Sequence, residues 1–210
     1  MTRILVIDDH PLIRRGAVDV LSEGFPGSEI GEASSPAEAM VSLWAGTWNL
    51  VVLDISLPGR SGIDLLREIK SARPGIPVLM FSAHPEAQFS TRTLRAGASG
   101  YLTKNSPPTM LVQAAQQIMK GGKFISPAAA EMLVSELQLD SSKPLHEQLS
   151  DREYDVMLRI AGGSSVGQIA EVMNLSVKTV STYRTRILAK MGLKNNAEMT
   201  HYALRNKLIE

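Results

Sequence analysis

Short apolar runs that end in polar or charged residues constrain the fold of this chain more than any other feature. Over residues 1–120 they alternate with stretches of helical periodicity. Runs that are apolar throughout belong to strands buried on both faces, which indicates a parallel sheet with helices on both sides. We predict four such strands and a more polar one near Glu29–Glu32, the four being Ile4–Ile7, Val51–Leu53, Pro77–Phe81 and Gly100–Leu102.

Five helices are predicted between and after these strands, at residues 12–22, 36–45, 62–72, 86–96 and 107–120. Pro36 and Pro107 each follow a serine that can cap a helix, and proline is tolerated in the first helical turn. Five β–α repeats predict a doubly wound α/β domain. Ligands of such a domain bind beyond the C-terminal ends of its strands.

The rest of the chain predicts a linker and a small all-α domain. Helices are expected at residues 151–161, 165–173, 177–191 and 196–207, and Ser150 and Glu153 have capping-box spacing at the start of the first. The short break before the third, basic helix is typical of a helix-turn-helix. The predicted limits are 1–122 for the α/β domain, 123–145 for a linker with a helix at 127–138, and 146–210 for the helical domain.

Composition excludes several classes of site. The chain has no cysteine, so it has no disulfides, thiolate metal sites or cysteine nucleophiles. Its four histidines are too scattered for the spacing of a zinc site. No apolar run approaches the roughly 20 residues of a membrane helix, and Met1–Arg3 leads into a strand, not into a secretory signal. We therefore expect a cytoplasmic protein without a membrane partner.

A stretch between Glu171 and Glu198 contains only basic charges, on Lys178, Arg184, Arg186, Lys190 and Lys194. A local basic surface of this kind indicates a polyanion partner, although a solvated helix face has the same composition.

Helical spacing divides the helix at 177–191 into two faces. The face predicted to point into the core contains Val177, Val180, Ile187 and Met191, and the opposite one contains Lys178, Ser181, Thr182, Thr185 and Arg186. Small hydroxyl residues flanked by cations suit a helix that approaches base edges while basic side chains hold phosphates. A face that contacts nothing is the alternative.

Polar side chains follow four of the predicted strands, where each strand ends. They are Asp8, Asp9, Asp54, Ser82 and Lys104. Because these ends share one edge of the sheet, three carboxylates, a hydroxyl and an ammonium should converge. Oxygen ligands at an open site favour Mg²⁺, and the set permits phosphoryl transfer to a carboxylate. One such aspartate alone would be read as a helix cap or a turn residue.

Residues 3–120 resemble the receiver domain of bacterial response regulators. The matching motifs are Ile7–His10, Asp54–Gly62, Ser82–Ala83, Tyr101 and Lys104. The resemblance implies that Asp54 is the phosphoacceptor, and that Asp8, Asp9, Asp54 and the carbonyl of Ser56 form the Mg²⁺ site. It also implies that Ser82 and Tyr101 are switch residues and that Lys104 contacts the phosphoryl group. Asn105 departs from the proline that many receivers have after the lysine.

Residues 148–208 resemble the LuxR-type helix-turn-helix of the NarL/FixJ subfamily, through Leu149–Glu153, Gln168–Ala170, Leu175–Val180 and Lys190–Leu193. Within it, the segment Lys178–Tyr183 is similar to BvgA-like regulators. The expected architecture is a doubly wound five-stranded parallel receiver domain plus a small four-helix LuxR-type domain. Expected DNA contacts are Lys178, Thr179, Ser181, Thr182, Arg184, Thr185, Arg186 and Lys190.

The two resemblances together imply a non-enzymatic two-component response regulator. A sensor histidine kinase would phosphorylate Asp54, and a homodimer would bind double-stranded DNA, with RNA polymerase as a further partner. A Mg²⁺-dependent phosphohydrolase with an aspartyl-phosphate intermediate is one alternative, but Ser56 stands where its second acid is needed. A constitutive DNA-binding protein with a degenerate receiver is another. The complete acidic set argues against it.

Overall fold

The computed structural model describes residues 1–127, 129–131 and 144–209. The chain divides into two compact units, Met1–Gln138 and Leu139–Glu210, and each is described on its own below. The helix predicted at 127–138 lies largely outside the described residues, and the predicted limits of domains and linker stay a prediction.

The N-terminal unit is a five-stranded parallel sheet in the order β2-β1-β3-β4-β5, which confirms the predicted doubly wound α/β class. Its strands are β1 (Arg3–Ile7), β2 (Glu29–Ala33), β3 (Leu50–Leu53), β4 (Val78–Ser82) and β5 (Gly100–Thr103). The alternating helices are α1 (Pro11–Gly24), α2 (Pro36–Ala45), α3 (Gly62–Ala72), α4 (Glu86–Arg95) and α5 (Pro108–Met119).

The central strands β1 and β3 form the core of this unit. Their alternate side chains, Ile4 and Val6 from β1 and Leu50 and Val52 from β3, are buried with apolar residues of α1 and α5. Burying an aliphatic side chain of this size stabilises a fold by about 1.5–3 kcal/mol. This packing fixes the strand ends where the polar residues lie.

Two proline-led helices begin differently. Ser35 caps α2 as predicted, because its side chain accepts a hydrogen bond from the Glu38 amide. Helix α5 instead begins at Pro108, with Pro107 at the capping position and no side-chain cap, so the predicted start at Pro107 is wrong by one residue. A residue before proline avoids helical backbone angles, which excludes Pro107 from the helix.

The polar strand ends come together because the ladder continues past the strands. The Asp54 amide donates to the Ile7 carbonyl (2.9 Å), and the Lys104 amide donates to the Ser82 carbonyl (2.8 Å). Gly62, the first residue of α3, packs directly on this edge. A Cβ atom there would lie 1.8 Å from the Asp54 carbonyl oxygen, so only glycine fits.

The C-terminal unit is helical, as predicted. After a 3₁₀ helix, Leu145–Gln148, come α6 (Asp151–Ala161), α7 (Val166–Val172), α8 (Val177–Met191) and α9 (Asn196–Arg205). The capping box of Ser150 and Glu153 is present at α6, and Ser165 and Gln168 form a second one at α7.

Three of the four residues predicted for the inward face of α8 are buried. Val180, Ile187 and Met191 are buried, but Val177 is 57% exposed, so its predicted place in the core is wrong. Val177 is the first residue of α8. The periodicity of a helix does not show whether neighbouring helices extend far enough to cover its first turn. Helix α8 packs against α6 and α7.

None of the helices within the described residues is long and apolar enough to span a bilayer. The cytoplasmic location stays a prediction.

Candidate functional site

Two buried aspartates share one lysine at the C-terminal edge of the sheet. Asp8 and Asp54 are each 2% exposed. Lys104 Nζ lies 2.7 Å from Asp8 Oδ2 and 2.8 Å from Asp54 Oδ2. These contacts join the ends of β1, β3 and β5 and bring together three of the residues predicted for the site.

Burial makes the charge on Asp54 costly. It raises the pKa of Asp54 above the ordinary value, an effect that Lys104 opposes and the charge of Asp8 reinforces. For Lys104, burial acts to lower the pKa, but the two carboxylates outweigh it and the pKa is raised. The ammonium therefore stays charged beside a carboxylate that one cation does not fully compensate.

The remaining carboxylate oxygens fit a divalent cation. Asp54 Oδ1 is buried and finds no hydrogen-bond partner among the described residues. One oxygen each of Asp8, Asp9 and Asp54 and a ring nitrogen of His10 lie within 4.8 Å of one another. Mg²⁺ prefers oxygen ligands, and the three carboxylates carry more negative charge than the one lysine neutralises. These three aspartates would hold the ion, and Ser56 stays a predicted ligand.

The switch residues surround His84, which sequence reasoning missed. The hydroxyl of Tyr101 donates to the His84 carbonyl (2.9 Å), and the His84 amide donates to Ser82 Oγ (3.3 Å). His84 Nε2 also lies 3.1 Å from Ser56 Oγ. Burial raises the pKa of Tyr101, so its hydroxyl stays a donor. The only sequence signal for His84 is its position two residues after a strand-end serine.

The outward face of α8 is as predicted. The side chains that the spacing places there are exposed: Lys178, Ser181, Thr182, Thr185 and Arg186. Two of the hydroxyls point back to the helix, since Thr182 Oγ1 donates to the Lys178 carbonyl (2.9 Å) and Thr185 Oγ1 donates to the Ser181 carbonyl (3.1 Å). These threonines therefore present a methyl group and an accepting oxygen to a partner.

The other three predicted DNA contacts have partners inside their own unit. Lys190 Nζ is 2.6 Å from Glu153 Oε2, and Arg184 Nε donates to Asn196 Oδ1 (2.7 Å). Thr179 Oγ1 lies 2.8 Å from Ser176 Oγ at the start of α8. They stay predictions as DNA contacts.

Comparison with known families matches both units. Residues 4–116 match the response regulator receiver domain, and residues 147–203 match the bacterial regulatory proteins of the luxR family. This chain is a response regulator of the NarL/FixJ family. It combines a receiver domain with a LuxR-type DNA-binding domain, and the finer likeness to BvgA-like regulators stays a prediction.

Relatives align over nearly the whole response regulator. It is 35% identical to response regulator GacA of Pseudomonas protegens over 100% of this chain and 99% of GacA. It is 33% identical to response regulator UvrY of Escherichia coli O6:H1, over 99% and 96% of the two chains. RcsB of Salmonella enterica serovar Typhimurium was solved bound to promoter P1flhDC with the phosphomimetic BeF3⁻. RcsB is 25% identical to this chain with a TM-score of 0.59, and the match covers 96% of this chain and 97% of RcsB.

Proposed function

We propose that this response regulator is a transcription regulator switched by phosphorylation of Asp54, with a sensor histidine kinase as the donor. The observation that supports this most is the pair of oxygens of Asp54. Oδ2 is held by Lys104, while Oδ1 is buried with no hydrogen-bond partner in the described part of the chain. One oxygen is fixed and the other is left as a nucleophile.

In the proposed step, Asp54 Oδ1 attacks the phosphorus of a phosphohistidine. A P–O bond forms on Asp54, the P–N bond to the donor breaks, and the electron pair leaves with the imidazole, which takes up a proton from solvent. Lys104 stabilises the charge on the phosphoryl oxygens. Asp8, Asp9 and Asp54 would hold a Mg²⁺ ion here, which would supply further charge neutralisation for the transferred group.

The Ser82 hydroxyl, at the end of β4, is the switch group that we propose responds to the new charge. Ser82 is fully buried, and its Oγ accepts a long hydrogen bond from the His84 amide (3.3 Å). A phosphoryl oxygen is a stronger acceptor for its proton. Movement of Ser82 would disturb His84 and, through the His84 carbonyl, Tyr101. A local change of charge at Asp54 would in this way shift the positions of these switch residues.

DNA binding is proposed for α8, with its exposed basic and hydroxyl residues in the major groove. The likeness to RcsB, which was solved on promoter DNA, supports this role. A homodimer and RNA polymerase are the further partners that we propose.

We propose no catalytic turnover of a separate substrate. A phosphohydrolase needs a second acid two residues after its nucleophile, and Ser56 Oγ there is in contact with His84. A serine hydroxyl gives little general-acid help.

Intact-mass spectrometry after incubation with acetyl phosphate and Mg²⁺ tests the assignment. We expect one added phosphoryl group on the wild type and none on Asp54→Ala. Asp19→Ala is the matched control, because Asp19 is an α1 carboxylate paired with Arg15 (3.1 Å) away from the site. Full labelling of Asp54→Ala would overturn the proposal.

A further inference from the structure

We propose that residues 123–126, which follow α5, dock on the outer edge of β5 as a releasable sixth strand of the receiver sheet. Phosphorylation of Asp54 releases this docked segment and so changes the start of the connection to the second unit. The inference rests on the proposed function for its control by Asp54. It adds the element of the chain that responds.

Main-chain hydrogen bonds hold the docked segment on the sheet. The Phe124 amide donates to the Ser99 carbonyl (3.0 Å), and the Tyr101 amide donates to the Phe124 carbonyl (3.1 Å). These bonds pair Phe124 with Gly100 in parallel. Strand β5 stands last in the strand order, and the outer edge of such a strand offers amides and carbonyls to a further segment. The docked segment uses part of this edge.

Gly100 leaves the space that the docked segment occupies. A Cβ atom on Gly100 would lie 2.6 Å from the Phe124 carbonyl oxygen and 3.0 Å from Phe124 Cβ. Glycine within a strand often marks such a close approach of another backbone. The Phe124 side chain packs against the apolar core, and Lys123 Nζ donates to the Ala98 carbonyl (2.9 Å). The docking is specific, yet two ladder hydrogen bonds are few enough to open while the sheet stays folded.

Two contacts connect the docked segment to the loop between β4 and α4. Tyr101, whose amide holds Phe124, donates its hydroxyl to the His84 carbonyl (2.9 Å). Glu86 lies two residues after His84, and its Oε1 accepts a hydrogen bond from the Ser126 amide (3.3 Å). A displacement of this loop therefore acts on the docked segment at two positions.

A phosphoryl group on Asp54 acts on the same loop through Ser82. The His84 amide donates to Ser82 Oγ at 3.3 Å. When the Ser82 hydroxyl turns to the stronger phosphoryl acceptor, the His84 amide loses this partner and the loop is less restrained. Because the docked segment is bonded to this loop, the equilibrium between its docked and released forms shifts towards release.

Hydrogen exchange of the full chain, detected by NMR, measures docking at the amides of Phe124 and Tyr101. We expect acetyl phosphate with Mg²⁺ to speed exchange of both amides by about threefold or more. The amides of Val6 and Val52, in the central strands, should not change, and Asp54→Asn should show no effect of acetyl phosphate. Unchanged or slower exchange in a wild type whose mass shows the added phosphoryl group would overturn the inference and leave the proposed function intact.

Two variants of Glu86 test the docking without phosphorylation. Glu86→Ala removes the acceptor of the Ser126 amide and should speed exchange at Phe124 by about twofold or more. Glu86→Gln keeps a side-chain oxygen at this position and should stay near the wild type. If the two variants do not differ, the inference is wrong. If Asp54 takes up no phosphoryl group but Glu86→Ala still speeds exchange, the proposed function fails and the docking on β5 stands.

Discussion

Lys190 on α8 lies 2.6 Å from the carboxylate of Glu153 on α6, and Glu153 is only 3% exposed. The same oxygen of Glu153 accepts a hydrogen bond from the Ser150 amide at 2.8 Å. One buried carboxylate thus closes the cap of α6 and holds the C-terminal part of α8. A residue predicted for DNA contact has a structural role in this arrangement.

Glu153→Gln should lower the stability of the DNA-binding unit in a pH-dependent way. Burial acts to raise the pKa of Glu153, but hydrogen bonds from Lys190 and Ser150 outweigh it and the pKa lies below its ordinary 4.5. Glutamine keeps the capping box and loses the ion pair, at a cost of about 0.5–1 kcal/mol.

An acid whose folded pKa is lowered stabilises the fold above its unfolded pKa, and this is lost as pH falls through the folded pKa. Urea unfolding should therefore show the full deficit of Glu153→Gln at neutral pH, shrinking below about pH 4.5. Lys190→Met should behave in the same way. A deficit that does not change with pH would contradict the ion-pair explanation.

Asp54→Asn should stabilise the receiver domain in metal-free buffer, by on the order of 1 kcal/mol. The raised pKa of Asp54 shows that its charge is unfavourable in the folded state, and Lys104 keeps its 2.7 Å contact with Asp8 in the variant. Thermal unfolding is the measurement, with Asp19→Asn as the exposed control. Added Mg²⁺ should raise the midpoint of the wild type more than that of Asp54→Asn, and an equal response would argue against Asp54 as a ligand.

Lys178 and Lys190 should differ in their contribution to the salt dependence of DNA binding. Lys178 is exposed on the outward face of α8, whereas Lys190 is already paired with Glu153. Lys178→Ala should reduce the slope of log K against log salt by about 0.9, the value for one phosphate contact. Lys190→Ala should reduce it by less. Fluorescence anisotropy over a salt series measures both, and equal slopes for the two variants would show that Lys190 leaves Glu153 on DNA.

Thr182 should read a base through its methyl group and its accepting oxygen, because its proton is donated to the Lys178 carbonyl. Thr182→Ser removes the methyl and Thr182→Val removes the oxygen. The variant that loses the contacting group should lose about 1–3 kcal/mol of discrimination at one base pair with an unchanged salt slope. Binding to a panel of single-base operator variants measures this. A uniform loss over all sequences would place Thr182 on the backbone.

Gly167→Ala should stabilise the DNA-binding unit by about 0.5–1 kcal/mol. Gly167 lies within α7, and a Cβ atom there would meet only Ser165 Oγ, at 4.0 Å. Gly192→Ala is the opposite case, because Gly192 ends α8 with φ 65° and should cost about 1–2 kcal/mol. Chemical denaturation compares them. Destabilisation by Gly167→Ala would indicate a contact that the free chain does not make.

The sheet and the acidic cluster could be predicted because both follow from strand ends. Uniformly apolar runs such as Val51–Leu53 that alternate with helices predict buried parallel strands. Asp54 and Lys104 follow their strands directly. The register then brings them within 2.8 Å of each other. The helix caps at Ser35 and Ser150 could also be predicted, because each depends only on residues next to it in sequence.

What the sequence did not reveal depends on three-dimensional surroundings. Val177 has the periodicity of a core residue but lies at the first position of α8, beyond the reach of its neighbours. His84 looks like any residue after a strand, and its contacts with Ser56 and Tyr101 depend on the path of the loop. The intramolecular partner of Lys190 is 37 residues away in sequence, where no local pattern reports it.

Gly62 gives the phosphoacceptor loop a fixed length. Because this residue touches the carbonyl of Asp54 with no room for a methyl group, and its amide donates to the Ile55 carbonyl at 2.7 Å, the loop is closed at both ends by main-chain atoms. Side chains between these ends can be exchanged without altering the main-chain contacts that close the loop. An inserted residue would break the contact of Gly62 while the Asp54 amide stays bound to the Ile7 carbonyl at 2.9 Å, so this loop tolerates substitution better than insertion.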